Sequence, residues 1–387
     1  MITILLVIIY IAFISLGLPD SMLGAAWPSI RTDLALPMSG AGLIAFITSG
    51  GTIISSLFSG KLIKKLGTGK LTLISVFLTA VSLLGFSFSD NYLYLCLLAV
   101  PLGLGAGAVD AGLNNFVALN YSAKHMSWLH CFWGVGATAG PVIMAAAIAK
   151  TGLWQKGYLT VAIIQSFLVI ILLFSLPIWH KLKDKGEEEV IHEEKGDHVF
   201  RLPGIIPALT GFSCYCALES TAGLWGASYL VQAKGITAGV AAGWVSMYYF
   251  GITIGRFING FFTMKFSNPV LIRTGQVIIG VGAVLLLVFN YPYSNLAGLI
   301  LIGIGCAPIY PSMLHETPVR FGKHNSSSLM GLQMAFGYVG ATLIPPTLGL
   351  VMDKAGIQLY PAFLIILLVI MLISCEKVNH TVAKMNK

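Results

Sequence analysis

Asp20, Asp110 and Glu219 each sit well inside a stretch of chain that is otherwise apolar for long enough to cross a bilayer. An ionised carboxylate in hydrocarbon costs on the order of 3 kcal/mol on insertion scales, so such residues are rare there and face a bundle interior or a wet cavity. Three of them point to a chain that moves something. Asp110 and Asn114 are four residues apart and share one helical face. A carboxylate beside an amide can hold sugar hydroxyls or exchange a proton; the plainer reading is a hydrogen bond between packed helices. Because desolvation favours the neutral form of a carboxylic acid, an acid in a cavity that alternately hydrates and dries can load and release a proton. His130 offers one donor and one acceptor when neutral and can itself titrate, although a lone His in an apolar helix is often a packing residue. Asp20 follows Pro19, which weakens the local helix and leaves backbone groups free beside the acid. Glu219 precedes Ser220 and Thr221, which can satisfy it internally. Trp133, Trp225 and Tyr310, with Trp27, Trp244 and Tyr248, can stack on the apolar face of a pyranose, or serve as interfacial anchors.

The elements that must position these residues follow from hydropathy. With 56% hydrophobic and 10% charged residues and a mean hydropathy of +0.85, the chain is far more apolar than soluble domains, in which about 25% of residues are charged. Runs of about 20 apolar residues predict spans near residues 3–30, 39–60, 69–89, 92–121, 126–149 and 158–180. A second set follows near 203–232, 238–263, 269–290, 294–316, 326–350 and 358–376. The expected fold is all-α and integral to the membrane, with twelve transmembrane helices in two pseudo-symmetric six-helix bundles. The bundles are expected over 1–181 and 203–387, joined across 182–202 by the long charged segment KDKGEEEVIHEEKGDH, which reads as a solvated linker.

Other function classes lose support. The apolar runs are about twice the length of outer-membrane strands. The six cysteines fall in apolar runs without metal-ligand spacing and read as core residues. The net charge of +8 lies beside span ends, so topology rather than nucleic acid explains it. The first run lacks a basic leader and a cleavage site, so it is expected to remain as span 1. No enzyme motif stands in a plausible context, and GLGAG (103–107) lacks the strand that a dinucleotide turn requires. No cofactor or resident metal is expected.

The halves resemble each other. LPDSMLGAAW (18–27) pairs with LESTAGLWGA (218–227), setting Asp20 against Glu219, and LHCFWGVGAT pairs with LQMAFGYVGAT, setting His130 against Gln333. Spans 4 and 10 share GLGAG and GIGCA. Internal repeats with a site at their interface are common in transporters. If both termini are cytoplasmic, 18 of the 23 Lys and Arg fall on the inside and five (Arg31, Lys150, Lys156, Lys234, Lys354) outside, which favours that orientation. GKLIKKLGTGK (60–70) and GRFINGFFTMKF (255–266) place glycines and cations at like positions near inner span ends. There Lys64, Lys65 and Arg256 suit a gate, held by pairing or by helix C-terminal dipoles, or act only on topology.

LPDSMLGAAWPSI in span 1, GAGAVDAGLNNF in span 4, SWLHCFWGVGATAGP in span 5 and GRFINGFF in span 8 resemble the major facilitator superfamily. Within it they resemble the fucose permease branch and the related sodium-dependent glucose transporter-like proteins. The resemblance covers essentially the whole chain. It implies a secondary transporter working by alternating access, with spans 1, 4, 7 and 10 lining a central cavity. It also implies that Asp20 and Asp110 match that permease's span 1 and span 4 acids, the latter tied to proton coupling. His130 stands where the permease uses a glutamine, and Lys64 replaces the Asp of the usual loop between spans 2 and 3.

The expected function is cation-coupled uptake of a sugar or polyol across the cytoplasmic membrane by a monomer. Asp110 would carry the proton, and Asp20, Asn114, His130, Glu219 and Gln333 would handle substrate. A pair of cavity carboxylates can equally hold sodium. The rivals are a proton-coupled exporter of lipophilic drugs and, more remotely, a non-transporting membrane sensor.

Overall fold

The computed structural model describes residues 2–121, 123–180, 202–321 and 326–385. Apart from Leu202, the expected linker lies outside the described residues. In lipid every backbone polar group must be paired within its own segment, which for a single apolar run means a helix. Described residues outside helices are confined to short connections. The first unit contains α1 (Ile2–Asp20), α2 (Met22–Asp33), α3 (Gly40–Leu66), α4 (Thr68–Ser87), α5 (Tyr92–Asn120), α6 (Ala123–Thr151) and α7 (Trp154–His180). The second contains α8 (Ile205–Lys234), most of α9 (Ala238–Phe262), α10 (Asn268–Val288), α11 (Pro292–Cys306), α12 (Ile309–Phe321), α13 (Ser326–Ala355) and α14 (Tyr360–Met385). Thr237–Ser246, at the start of α9, belong with the first unit.

Among the described residues, ten stretches are long and apolar enough to span a membrane. In two of them, Ile4–Asp33 and Pro292–Phe321, a pair of consecutive helices makes one span. The helices α8 and α9, with 30 and 25 residues, are long enough. They fall below that hydropathy because they carry Glu219, Arg256 and many Gly, Ser and Tyr residues. Together these are the twelve spans expected from sequence. Outward-facing Phe167, Phe174 and Val277 are exposed, as suits side chains whose solvent is lipid.

The first break in a span has a cause in one residue. Pro19 has no N–H to donate to the carbonyl of Ser15, four residues back. Contrary to the expectation from sequence, that carbonyl is not left free beside the acid. It accepts from Nε2 of buried Gln165 in α7 (2.8 Å), whose Oε1 accepts from Thr79 of α4 (2.6 Å). One proline thus ties three helices together, and the span restarts after Ser21. At the equivalent place in the second unit Leu218 replaces Pro19, and α8 runs unbroken.

The same pairings recur in both units. The helix pair α1 and α6 corresponds to α8 and α13, α4 and α5 to α10 and α11, and α4 and α7 to α10 and α14. The repeated glycine motifs supply a further correspondence. A Cβ on Gly103 of α5 would overlap the Thr48 carbonyl of α3, and one on Gly303 of α11 would overlap the Tyr248 carbonyl of α9. The α3 and α5 backbones come close enough for Thr52 Oγ1 to donate to Gly103 O (3.2 Å) and Ser56 Oγ to Gly107 O (3.0 Å). GLGAG is therefore a helix-packing motif.

Adding a methyl group to a close-packed contact costs about 1–3 kcal/mol. Gly103→Ala and Gly303→Ala are therefore expected to lower the melting temperature of the purified protein by several degrees. Gly60→Ala, where a Cβ meets nothing within 4 Å, is expected to leave it unchanged or raise it, as fluorescence-detected thermal unfolding will read.

Candidate functional site

In the first unit α1 carries Asp20 on its last residue, α5 carries Asp110 and Asn114, and α6 carries His130 and Trp133. Asp20 is exposed although it ends a mid-span helix, so its carboxylate is not enclosed by packed side chains. It is held from one side by the indole N–H of Trp133, which donates to Oδ2 at 2.8 Å. Asp110 is half-buried and accepts from Asn114 Nδ2 at 2.9 Å; the same amide donates to the Asp110 carbonyl at 3.0 Å. The two aspartates lie within electrostatic reach of each other. His130 is exposed and sets its ring against the edge of Phe13, centroids 6.1 Å apart. The first unit therefore gathers Asp20, Asp110, Asn114 and Trp133 as a group of acids with neutral donors.

The second unit treats its acid differently. Glu219 pairs with Arg256 across α8 and α9, Nη2 to Oε1 at 3.3 Å, and both side chains are about one fifth exposed (18% and 19%). The Tyr248 hydroxyl donates to the Glu219 carbonyl (2.9 Å). Tyr215, one turn before Glu219, lies within hydrogen-bonding reach of Arg256 and donates to Cys306 O at 3.1 Å. Tyr310 packs against Phe212 and Tyr215 with centroids 5.2 and 6.1 Å away, and its hydroxyl reaches Met334 Sδ at 3.0 Å. The carboxylate of Glu219 is thus answered by a guanidinium and not by Thr221, whose Oγ1 is buried without a hydrogen-bond partner among the described residues.

Several expectations from sequence need correction. Arg256, counted with the inner loops and assigned to a gate, lies inside α9 and pairs with Glu219, where it compensates a charge within the span. Trp225, expected to stack on substrate, is fully buried, and its indole N–H donates to Pro345 O at 2.9 Å; it is a core residue of the α8 and α13 contact. Gln333, paired by sequence with His130, is 4% exposed and engaged by Thr317 Oγ1 at 2.5 Å, whereas His130 is open. Lys64 and Lys65 occupy the last, exposed turn of α3, where C-terminal carbonyls favour cations. They make no ion pair among the described residues. The single connecting residue, Gly67, has φ +79°, a conformation that glycine adopts without strain. Tyr215 was missed from sequence; its four-residue spacing from Glu219 is the signal that would have found it.

Two all-helical units with matching helix pairs, each carrying an acid at the equivalent place in its first span, define a membrane carrier rather than an enzyme. A sequence profile of the Major Facilitator Superfamily matches residues 9–245 and 207–379, and the chain belongs to that superfamily. It is a multi-pass membrane transporter of a small-molecule solute. The glucose/mannose transporter GlcP of Bacillus subtilis is 22% identical over 96% of this chain and 94% of its own length. The cis,cis-muconate transport protein of Acinetobacter baylyi is 20% identical over 90% of this chain and 87% of its own. Among solved structures the nucleoside transporter NupG superposes with a TM-score of 0.75 at 13% identity, over 97% of this chain and 98% of that one.

Removing one partner of a half-buried ion pair leaves the other charge uncompensated, whereas removing both does not. Arg256→Met is expected to destabilise more than the double variant Arg256→Met with Glu219→Gln. The coupling in a double-mutant cycle of unfolding should be about 1 kcal/mol or more.

Proposed function

We propose that this transporter imports a sugar or polyol across the cell membrane together with a proton, by alternating access of two halves, residues 1–181 and 203–387, with both termini in the cytoplasm. The observation that carries this reading is the open Asp20 carboxylate held by Trp133, within electrostatic reach of Asp110 and its Asn114 amide. Asp110 carries the proton. Asp20, Asn114 and His130 meet substrate hydroxyls from the first half, and Glu219 and Tyr310 from the second. Gln333 acts behind Thr317 and reaches substrate only if that contact opens. Lys64 and Lys65 act at an inner gate.

Full-length similarity to a glucose/mannose transporter supports the sugar class, and the resemblance to the fucose permease branch supports proton coupling through Asp110. Export of lipophilic cations is less well supported, because Arg256 already compensates the carboxylate that a cation would seek in the second half. The acids of the first half keep sodium as the alternative coupling ion.

A ligand that binds only the folded state stabilises it by about 2.7 kcal/mol at one hundred times its dissociation constant. Thermal unfolding of the purified protein is therefore to be followed with hexoses, deoxyhexoses, polyols and lipophilic cations, at pH 6 and 8, with and without sodium. The expected outcome is a shift with particular sugars that depends on pH, not sodium, and that loses its pH dependence in Asp110→Asn. Shifts with lipophilic cations alone would replace this reading with drug export.

A further inference from the structure

At the end of the second unit where α8 begins and α14 finishes, a groove of about 490 Å³ opens between the two helices. One wall is nearly bare, made by Gly204 and Pro207; the other is one face of α14. Along that face the lining changes in order. Leu372 and Ile373 are exposed apolar residues, Glu376 and Lys377 follow one turn on, and His380 and Thr381 one turn further. At about 1.5 Å of rise per residue the change from hydrocarbon to charge takes roughly 12 Å. That is the gradient a lipid itself presents from acyl chain to headgroup.

The charge balance of the groove is positive. Glu376 is held by a bidentate pair with Arg273 of α10, at 2.6 and 2.7 Å, so its charge is already matched. Lys377 and His380 are exposed and have no ion-pair partner among the described residues. The first turn of α8, a helix of 30 residues, adds the positive end of its dipole across the groove. A cation at the mouth, a histidine beside it and an apolar floor facing outward from a membrane-spanning bundle complement one class of molecule. Basic recesses between transmembrane helices hold anionic headgroups, and Leu372 and Ile373 would lie along the first methylenes.

We propose that this groove is a binding site for an anionic phospholipid, its phosphate on Lys377 and His380 and its acyl chain along Leu372 and Ile373. The site is independent of the solute path and of what the protein carries. Gly204, on the bare wall, has φ +86°, a conformation that other residues adopt only with strain.

The test uses the full chain in nanodiscs of phosphatidylcholine with 10% phosphatidylglycerol, released for native mass spectrometry. Wild type is expected to retain one more phosphatidylglycerol than the double variant Lys377→Gln with His380→Gln. Titration should show about fivefold weaker association for that variant, the worth of one Lys near an anionic surface. Lys384→Gln, which removes one lysine charge outside the groove, is expected to behave as wild type. Ile373→Asn, which keeps the cations but spoils the floor, should also weaken retention. Equal retention by wild type and the double variant would overturn the site, as would an equal loss in Lys384→Gln, which would show a charge effect only. Stabilisation by inorganic phosphate that matches the lipid's, with no effect of Ile373→Asn, would overturn the lipid as occupant.

Discussion

An ionised carboxylate inside a membrane span must find polar company, and the arrangement of both units follows from how that demand is met. Asp20 has an indole N–H on one oxygen and is otherwise open, Asp110 has the amide one turn above it, and Glu219 has a guanidinium. The first two partners are neutral donors, which leave a net negative charge for a cation to answer. The third cancels the charge. Two structurally equivalent spans therefore present different electrostatics from acids at equivalent places, one with a neutral partner and one with a charged partner.

The backbone around these acids is shaped by residues that carry no charge. Pro19 interrupts α1 one residue before Asp20, and the carbonyl it frees is taken up by a relay from Gln165 to Thr79 that anchors α1 to α7 and α4. Glycines in the fourth span of each half let backbones touch where the hydrophobic effect gives no drive to associate. The acids are thus mounted on helices fixed by shape and by hydrogen bonding; the partners of Asp20 and Glu219 reach them from neighbouring helices, and that of Asp110 comes from its own helix.

Spans, halves and acids were legible because hydropathy over about 20 residues is a strong signal and a charge within it is conspicuous. The Asp110 and Asn114 contact was legible because it is local: residues four apart share a face whatever the tertiary structure. Contacts that depend on helix rotation were not. Arg256 read as a loop cation because its motif lies near a span end, yet its side chain turns back to Glu219, 37 residues earlier. Trp225 read as an open ring because composition does not say which face of α8 meets α13. His130 and Gln333 lie on corresponding helices but differ in burial, since equal positions in a repeat do not confer equal exposure. Pro19 marked the break in span 1 but could not say which residue would rescue the carbonyl it frees.

The central claim is that the acids of the first half move a proton together with the solute, and proton movement itself is the most direct readout. In proteoliposomes without a membrane potential or sodium, addition of the stabilising sugar to the outside should make the external medium more alkaline as the sugar enters. The signal should be absent in Asp110→Asn even though that variant still exchanges labelled for unlabelled sugar. Sugar entry with no change in external pH, or entry that requires sodium, would contradict the account.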